Sequence, residues 1–345
     1  MSIVISIVSM LLILTVLVTA HEYGHFITAV KCGVGVHEFA IGMGPVLYKK
    51  KTKHTLLTIR LFPIGGFCAM KDESGLGEED DTREEIDGLG FCEIKGLKKI
   101  LVLAAGPIMN FICAILIFFS IFCIVGTGVS TTIDSFSDNS PAKEVGIEVG
   151  DTIISINGTQ IDEWEDVTSD IIGSEGNAIS LEVERKGEVK TFSVVPEFNE
   201  EADRYLIGVT PKTTVNPIKA FTNSFVMLYK YLGLTFEVIG GMFTGEYGLD
   251  ALSGPIGATA VLNEVLPQGF IYVLNIAAAI SVSLGLFNLL PIPALDGSRI
   301  LVVIVEMIKG SPVNKKVENF INMGGFVFMI LLAVVIAFKD IITLF

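Results

Sequence analysis

Positive charge is scarce in this sequence: 24 lysines and arginines stand against 38 acidic residues, for a formal net charge of -14 over 345 residues. The acidic excess gathers in residues 78–87 and 162–203, and no basic face answers it. That balance excludes nucleic acid as a partner. Cysteine is also sparse. Of the 5 present, Cys113 and Cys123 sit in an apolar run, Cys32, Cys68 and Cys92 fall on the predicted reducing side, and none falls in residues 126–216. No disulfide framework follows from that distribution. Charged residues of any kind make up only 18% of the chain, against 51% hydrophobic and a mean hydropathy of +0.64. A water-soluble globule is excluded in favour of an integral membrane protein.

What fills the chain instead is long apolar runs, at residues 3–30, 100–125, 271–308 and 320–338. Each is near or above the roughly 20 residues that cross a bilayer, which predicts about four transmembrane helices. The first run has no basic leader and carries His21-Glu22 where a cleavage site needs small residues, so it is expected to remain in the mature chain. Lys31, Lys95, Lys98 and Lys99 crowd the segment between runs one and two, and Lys309, Lys315 and Lys316 the segment between runs three and four. The positive-inside rule places both segments in the cytoplasm. Residues 126–216 and both termini are then extracytoplasmic.

His21-Glu22-Tyr23-Gly24-His25 stands where the first apolar run is still continuing. On a helix the two histidines lie one turn apart on one face, and the glutamate between them can reach a water on a shared metal ion. Ionisable groups at membrane depth are costly and seldom idle. A catalytic zinc takes three protein ligands and leaves one position open, so a third ligand is needed. Asp296 is the candidate, in Asn288-Leu289-Leu290-Pro291-Ile292-Pro293-Ala294-Leu295-Asp296-Gly297, where the prolines open the third run. A second reading pairs Asp296 with Arg299, three residues on. Asn288 could orient a substrate carbonyl or a loop, or simply pack. Gly106 and Asn110, at i and i+4 on the second run, read mainly as a close-packing pair. His37 and His54 have no second ligand at helical spacing and read as structural or surface residues.

Residues 54–62 read as a strand, and Pro63-Ile64-Gly65-Gly66-Phe67 as a turn leading to a second short strand, a cytoplasmic-side hairpin that either lies near the metal site or is a plain surface hairpin. Residues 78–87 read as a solvated loop. Beyond the second run, Ser140-Pro141-Ala142, Gly146-Ile147, Gly150-Asp151 and Asn157-Gly158, with alternating strands at 179–185 and 191–195, resemble a PDZ domain. Such domains add an extended peptide to a sheet edge and often capture a free C-terminus; the other reading is a rigid spacer. Residues 217–241 are apolar but carry Lys219, Lys230 and Glu237, which favours a helix in the membrane interface over a fifth span.

The predicted fold class is therefore a polytopic α-helical membrane protein with a cytoplasmic-side β-hairpin and one inserted extracytoplasmic PDZ domain of α+β type. Its expected segments are 1–30 for helix one, 31–99 for the hairpin and acidic loop, 100–126 for helix two and 127–197 for the PDZ domain. The interfacial helix (217–244), helix three (270–308) and helix four (320–343) follow.

These motifs, with Gly65-Gly66-Phe67, Ala105-Gly106-Pro107-Ile108-Met109-Asn110 and Leu252-Ser253-Gly254-Pro255-Ile256-Gly257, resemble the site-2 protease family of intramembrane zinc metalloproteases. The resemblance covers essentially the whole chain and is greatest to the bacterial RseP and RasP branch. It implies that His21, His25 and Asp296 hold Zn2+, that Glu22 is the general base, and that the hairpin around Gly65 and Gly66 approaches the substrate. RseP relatives carry two PDZ domains, whereas this chain has room for one. The implied function is cleavage of single-span membrane proteins, such as anti-sigma factors or remnant signal peptides, after a first extracytoplasmic cut. The implied location is a bacterial cytoplasmic membrane, and the partners are transmembrane substrates, the lipid bilayer and a PDZ ligand. The competing class is a PDZ-bearing scaffold or metal-handling protein without hydrolytic activity, but a base beside one compact metal site favours the enzyme.

Overall fold

The computed structural model describes residues 3–52, 55–72, 87–200, 202–248 and 251–344. His54, and the acidic stretch 78–87 apart from Asp87, lie outside the described residues. The chain forms two compact units, one from Met1–Phe118 with Ser224–Phe345 and the other from Phe119–Asn223.

Unbroken apolar sequence produces long helices: α1 (Ile3–Cys32), α2 (Gly96–Val125), α5 (Pro217–Thr244), α7 (Phe270–Leu289) and α9 (Lys315–Leu344), all in the first unit except residues 119–125 of α2 and 217–223 of α5. Among the described residues, five helices are long and apolar enough to cross a membrane, against about four expected. The additional one is α5, whose mean hydropathy of 1.2 is well below the 2.1 to 2.8 of the others. It carries Lys219, Lys230 and Glu237.

The third apolar run is not one helix. α7 ends at Leu289 and α8 (Asp296–Lys309) begins beyond a turn. Pro291 and Pro293 have no N–H to continue the helical bonding. Ala294 takes a left-handed φ of 73°, and a Cβ on Gly297 would strike the carbonyl oxygens of Leu289 and Leu290. The chain thus doubles back tightly enough that only glycine fits at 297. Asp296 falls in the first turn of α8, where the helix dipole favours a carboxylate.

Strands β1 (Val36–Lys51) and β2 (Leu56–Met70) form the expected hairpin region with a different plan. Both bend, β1 near Gly42 and Gly44 and β2 near Gly65, all three with positive φ. Residues 36–41 therefore lie between two rows: Ile41 pairs with Gly66 and Phe39 with Cys68 on one side, while Phe39 pairs with Leu57 and Ile41 with Ile59 on the other. Residues 56–60 in turn face 46–51, through Tyr48 with Ile59 and Lys50 with Leu57. The expected strand at 54–62 is thus, over residues 56–60, an inner row, and the expected turn at Pro63-Ile64-Gly65-Gly66 is a bend within β2. The outer row of β1 is 46–51 and that of β2 is 66–70. Phe39, Cys68, Met70, Phe91, Val102 and Leu103 pack together beneath it as a buried core.

The second unit has a six-stranded sheet in the order β10-β3-β4-β6-β7, with β5 on β4. The strands are β3 (Gly128–Phe136), β4 (Thr152–Ile156), β5 (Thr159–Gln160), β6 (Ile179–Arg185), β7 (Glu188–Val194) and β10 (Val209–Thr214). The turn motifs have local causes. Ser140 caps α3 (Pro141–Glu144) by accepting the Lys143 N–H, and Asn157-Gly158, both left-handed, turn β4 into β5. Ile179, Leu181 and Val183 alternate inward from β6 onto Val167 and Ile171 of α4 (Trp164–Gly173). Ile207 belongs to the same core and β10 to the same sheet, so the unit runs past residue 197, where the expected domain ended.

Candidate metal centre

Helical spacing brings His21 and His25 onto the buried face of α1, where they are 8% and 5% exposed. Their Nε2 atoms lie 3.2 Å apart. Asp296, carried in by the α7–α8 turn, places Oδ2 3.2 Å from Nε2 of His21 and 3.4 Å from Nε2 of His25. Among the described residues these three form a group close enough to share one metal ion.

The donor set fits zinc. Nδ1 of His25 is 2.8 Å from the Val102 carbonyl oxygen, which can only accept, so Nδ1 carries the proton and a neutral His25 turns a bare Nε2 lone pair inward. That lone pair faces a carboxylate oxygen and a second imidazole nitrogen, an arrangement that repels unless a cation lies between them. Ligands about 2.0–2.1 Å from a tetrahedral ion stand about 3.3 Å from one another, which matches the separations here.

α2 supplies the wall. A Cβ on Gly106 would run into the imidazoles of both His21 and His25, and one on Gly24 into the Ala105 carbonyl oxygen, so glycine is needed on both helices where they meet. Asn110, one turn beyond Gly106, does more than pack. It is fully buried, with its amide nitrogen 3.2 Å from Nδ1 of His21.

Glu22, Asn288 and Arg299 line the same cavity of about 330 Å³, as do the three candidate ligands. β2 contributes Phe67, Cys68 and Met70. Gly65 and Gly66 are outside the lining, although a Cβ on Gly66 would come within 3.8 Å of Cγ of Glu22 and within 2.7 Å of the Ala40 carbonyl oxygen. His37 lies on β1 and is not part of the metal group. The guanidinium of Arg299 sits 5.6 Å over the ring of Phe91. Sequence spacing gave no sign of Cys68, Met70 or Leu103 in the cavity, because sheet register and helix crossing bring them there. Asn110 did carry a signal, as an amide in the middle of an apolar run.

A family model described as peptidase family M50 matches residues 9–332. A protein of Clostridium acetobutylicum, provisionally named a zinc metalloprotease, is 37% identical over 98% of this chain and 97% of its own length. Zinc metalloprotease RasP of Shouchella clausii is 30% identical over 96% of this chain and 98% of its own length. The solved PDZ domain of an SdrC-like protein from Listeria monocytogenes is similar over 24% of this chain and 86% of that domain, at 20% identity and a TM-score of 0.22, too slight a likeness to assign a fold.

Proposed function

The chain belongs to peptidase family M50, the site-2 proteases, and on that premise we propose that it cuts single-span membrane proteins inside the bilayer. It is a multi-pass membrane zinc metalloprotease, and membrane proteins and lipid are its surroundings. The observation that carries the finer reading is the convergence of His21, His25 and Asp296 within 3.4 Å beside Glu22.

In this reading His21, His25 and Asp296 are the ligands and Glu22 the general base. Zinc, when bound, supplies a Lewis acid that polarises the scissile carbonyl and acidifies water. Glu22 accepts the proton of the attacking water and passes it to the leaving amide nitrogen. A helical substrate hides its carbonyls in its own hydrogen bonds, so the cleaved stretch must unwind and find replacements. The outer row of β2 at residues 66–70 offers backbone donors and acceptors beside the cavity, which supports docking of the unwound stretch there as an added strand. Asn288 lines the same cavity and in this reading holds a substrate carbonyl.

The hairpin side is taken as cytoplasmic and the second unit as an extracytoplasmic PDZ domain with a C-terminal peptide as ligand, supported by the lysine distribution and the turn motifs. Substrates already shortened outside the membrane, such as anti-sigma factors or remnant signal peptides, fit such an enzyme. Glu22→Gln should keep about one zinc per chain while cleavage falls about 100-fold or more, and Asp296→Ala should lose both. Metal analysis and a transmembrane reporter substrate read the two. Full cleavage by Glu22→Gln, or unchanged zinc affinity in Asp296→Ala, would sink the assignment.

A further inference from the structure

The two histidines present Nε2 to the same point, and their opposite nitrogens are held differently. Nδ1 of His25 donates to a backbone carbonyl, that of Val102. Nδ1 of His21 meets a side chain, the amide of Asn110, at 3.2 Å. Asn110 is fully buried and anchored, since Ser281 Oγ donates to its backbone oxygen at 2.7 Å. Its amide oxygen is buried and has no hydrogen-bond partner among the described residues.

An imidazole that gives its Nε2 lone pair to a metal carries its proton on Nδ1, and that proton needs an acceptor. An amide nitrogen cannot accept it; the amide oxygen can. Turning the Asn110 amide end for end about its last torsion puts the oxygen opposite Nδ1. We propose that Asn110 is a positioning residue that fixes the tautomer and ring plane of His21 by accepting its Nδ1–H at the amide oxygen. The inference rests on His21 being a zinc ligand. It makes α2 part of the metal site on both sides: the Val102 carbonyl orients one ligand, the Asn110 side chain the other, and Gly106 between them leaves room for both rings.

The acceptor role and a packing role predict opposite orders of substitution. Asn110→Asp keeps the shape and an acceptor, and a carboxylate behind a zinc-bound histidine is a common arrangement. Asn110→Leu keeps comparable volume in an apolar span but has no acceptor. Zinc affinity is measured on the full chain in detergent by competition with a chelator, with the cobalt(II) ligand-field spectrum as a second readout. Asn110→Asp should bind zinc within about threefold of the parent or tighter, and Asn110→Leu about 10–100-fold more weakly with an altered cobalt spectrum. Parent-like affinity in Asn110→Leu, or weaker binding in Asn110→Asp than in Asn110→Leu, overturns the proposal. Should Asn110→Leu fail to fold, Asn110→Ala set against Asn110→Asp makes the same comparison. A His21→Ala arm separates the two layers: lost zinc binding there upholds the ligand assignment whatever Asn110 does, and retained binding overturns both.

Discussion

Asp151 is 1% exposed and still charged, because Arg185 donates to both of its carboxylate oxygens at 2.6 and 2.7 Å and the Glu148 N–H donates at 2.9 Å. Burial pushes its carboxyl up, but the Arg185 hydrogen bonds and the Glu148 amide together hold it below the usual carboxylate range. A folded pKa below the unfolded one stabilises the fold above the unfolded value of about 3.9, and that contribution is lost as pH falls through the folded value. The second unit should therefore weaken as pH drops below about 4. Asp151→Asn should lower its unfolding midpoint at neutral pH by about 5 °C or more and flatten the acid dependence. Trp164, the single tryptophan of the chain, lies in this unit and reports its unfolding by fluorescence. The parent's full acid dependence persisting in Asp151→Asn would mean that another group sets it.

At the scale of elements, β2 is where sequence and structure diverge most, and its outer row bears on catalysis. A Cβ on Gly66 would press on the Ala40 carbonyl oxygen and approach Glu22, so Gly66→Ala must shift the row away from β1 or toward the base. Displacing substrate by about 1 Å can cost about 100-fold in rate. Gly66→Ala should thus reduce kcat/KM for a transmembrane reporter by about 10–100-fold with zinc content unchanged, and parent-like cleavage would remove this row from substrate docking. Helical spacing made His21, Glu22 and His25 legible, and the two prolines made a break before Asp296 legible. β1 was not, because its outer half, residues 43–51, is exposed and carries Lys49, Lys50 and Lys51 without alternation. Positive-φ glycines let each strand serve two rows, and local periodicity does not record which rows meet. The collision at Gly297 and the contact of Asn110 with His21 are equally non-local: the first depends on the chain doubling back, the second on two helices crossing.

For the whole molecule, the lysine pattern favours one topology among those that the five apolar helices of the described residues leave open. With α5 in the interface, Lys50 and Lys309 lie on the cytoplasmic side and Asp166 outside; with α5 spanning, Lys309 moves outside. Single cysteines at the three positions in a cysteine-free background, treated with an impermeant thiol reagent in intact cells, should react only at Asp166→Cys. Reaction at Lys309→Cys would convert α5 into a span, and reaction at Lys50→Cys would invert the protein. The second unit is inserted between α2 and α5, so the chain enters and leaves it through membrane-associated helices. A site that hydrolysed unwound helices would endanger every single-span protein nearby, and a folded insert that sterically rejected bulky outer domains would discriminate without reading sequence. Because β10 completes the sheet, the deletion that tests this must run from 128 to 214, closed by a short flexible linker, rather than stop at 197. Cleavage of a substrate with an intact outer domain should then rise about tenfold or more, while that of a pre-trimmed substrate barely changes. If both rates fall together, the unit recruits substrate or supports folding, and exclusion is wrong.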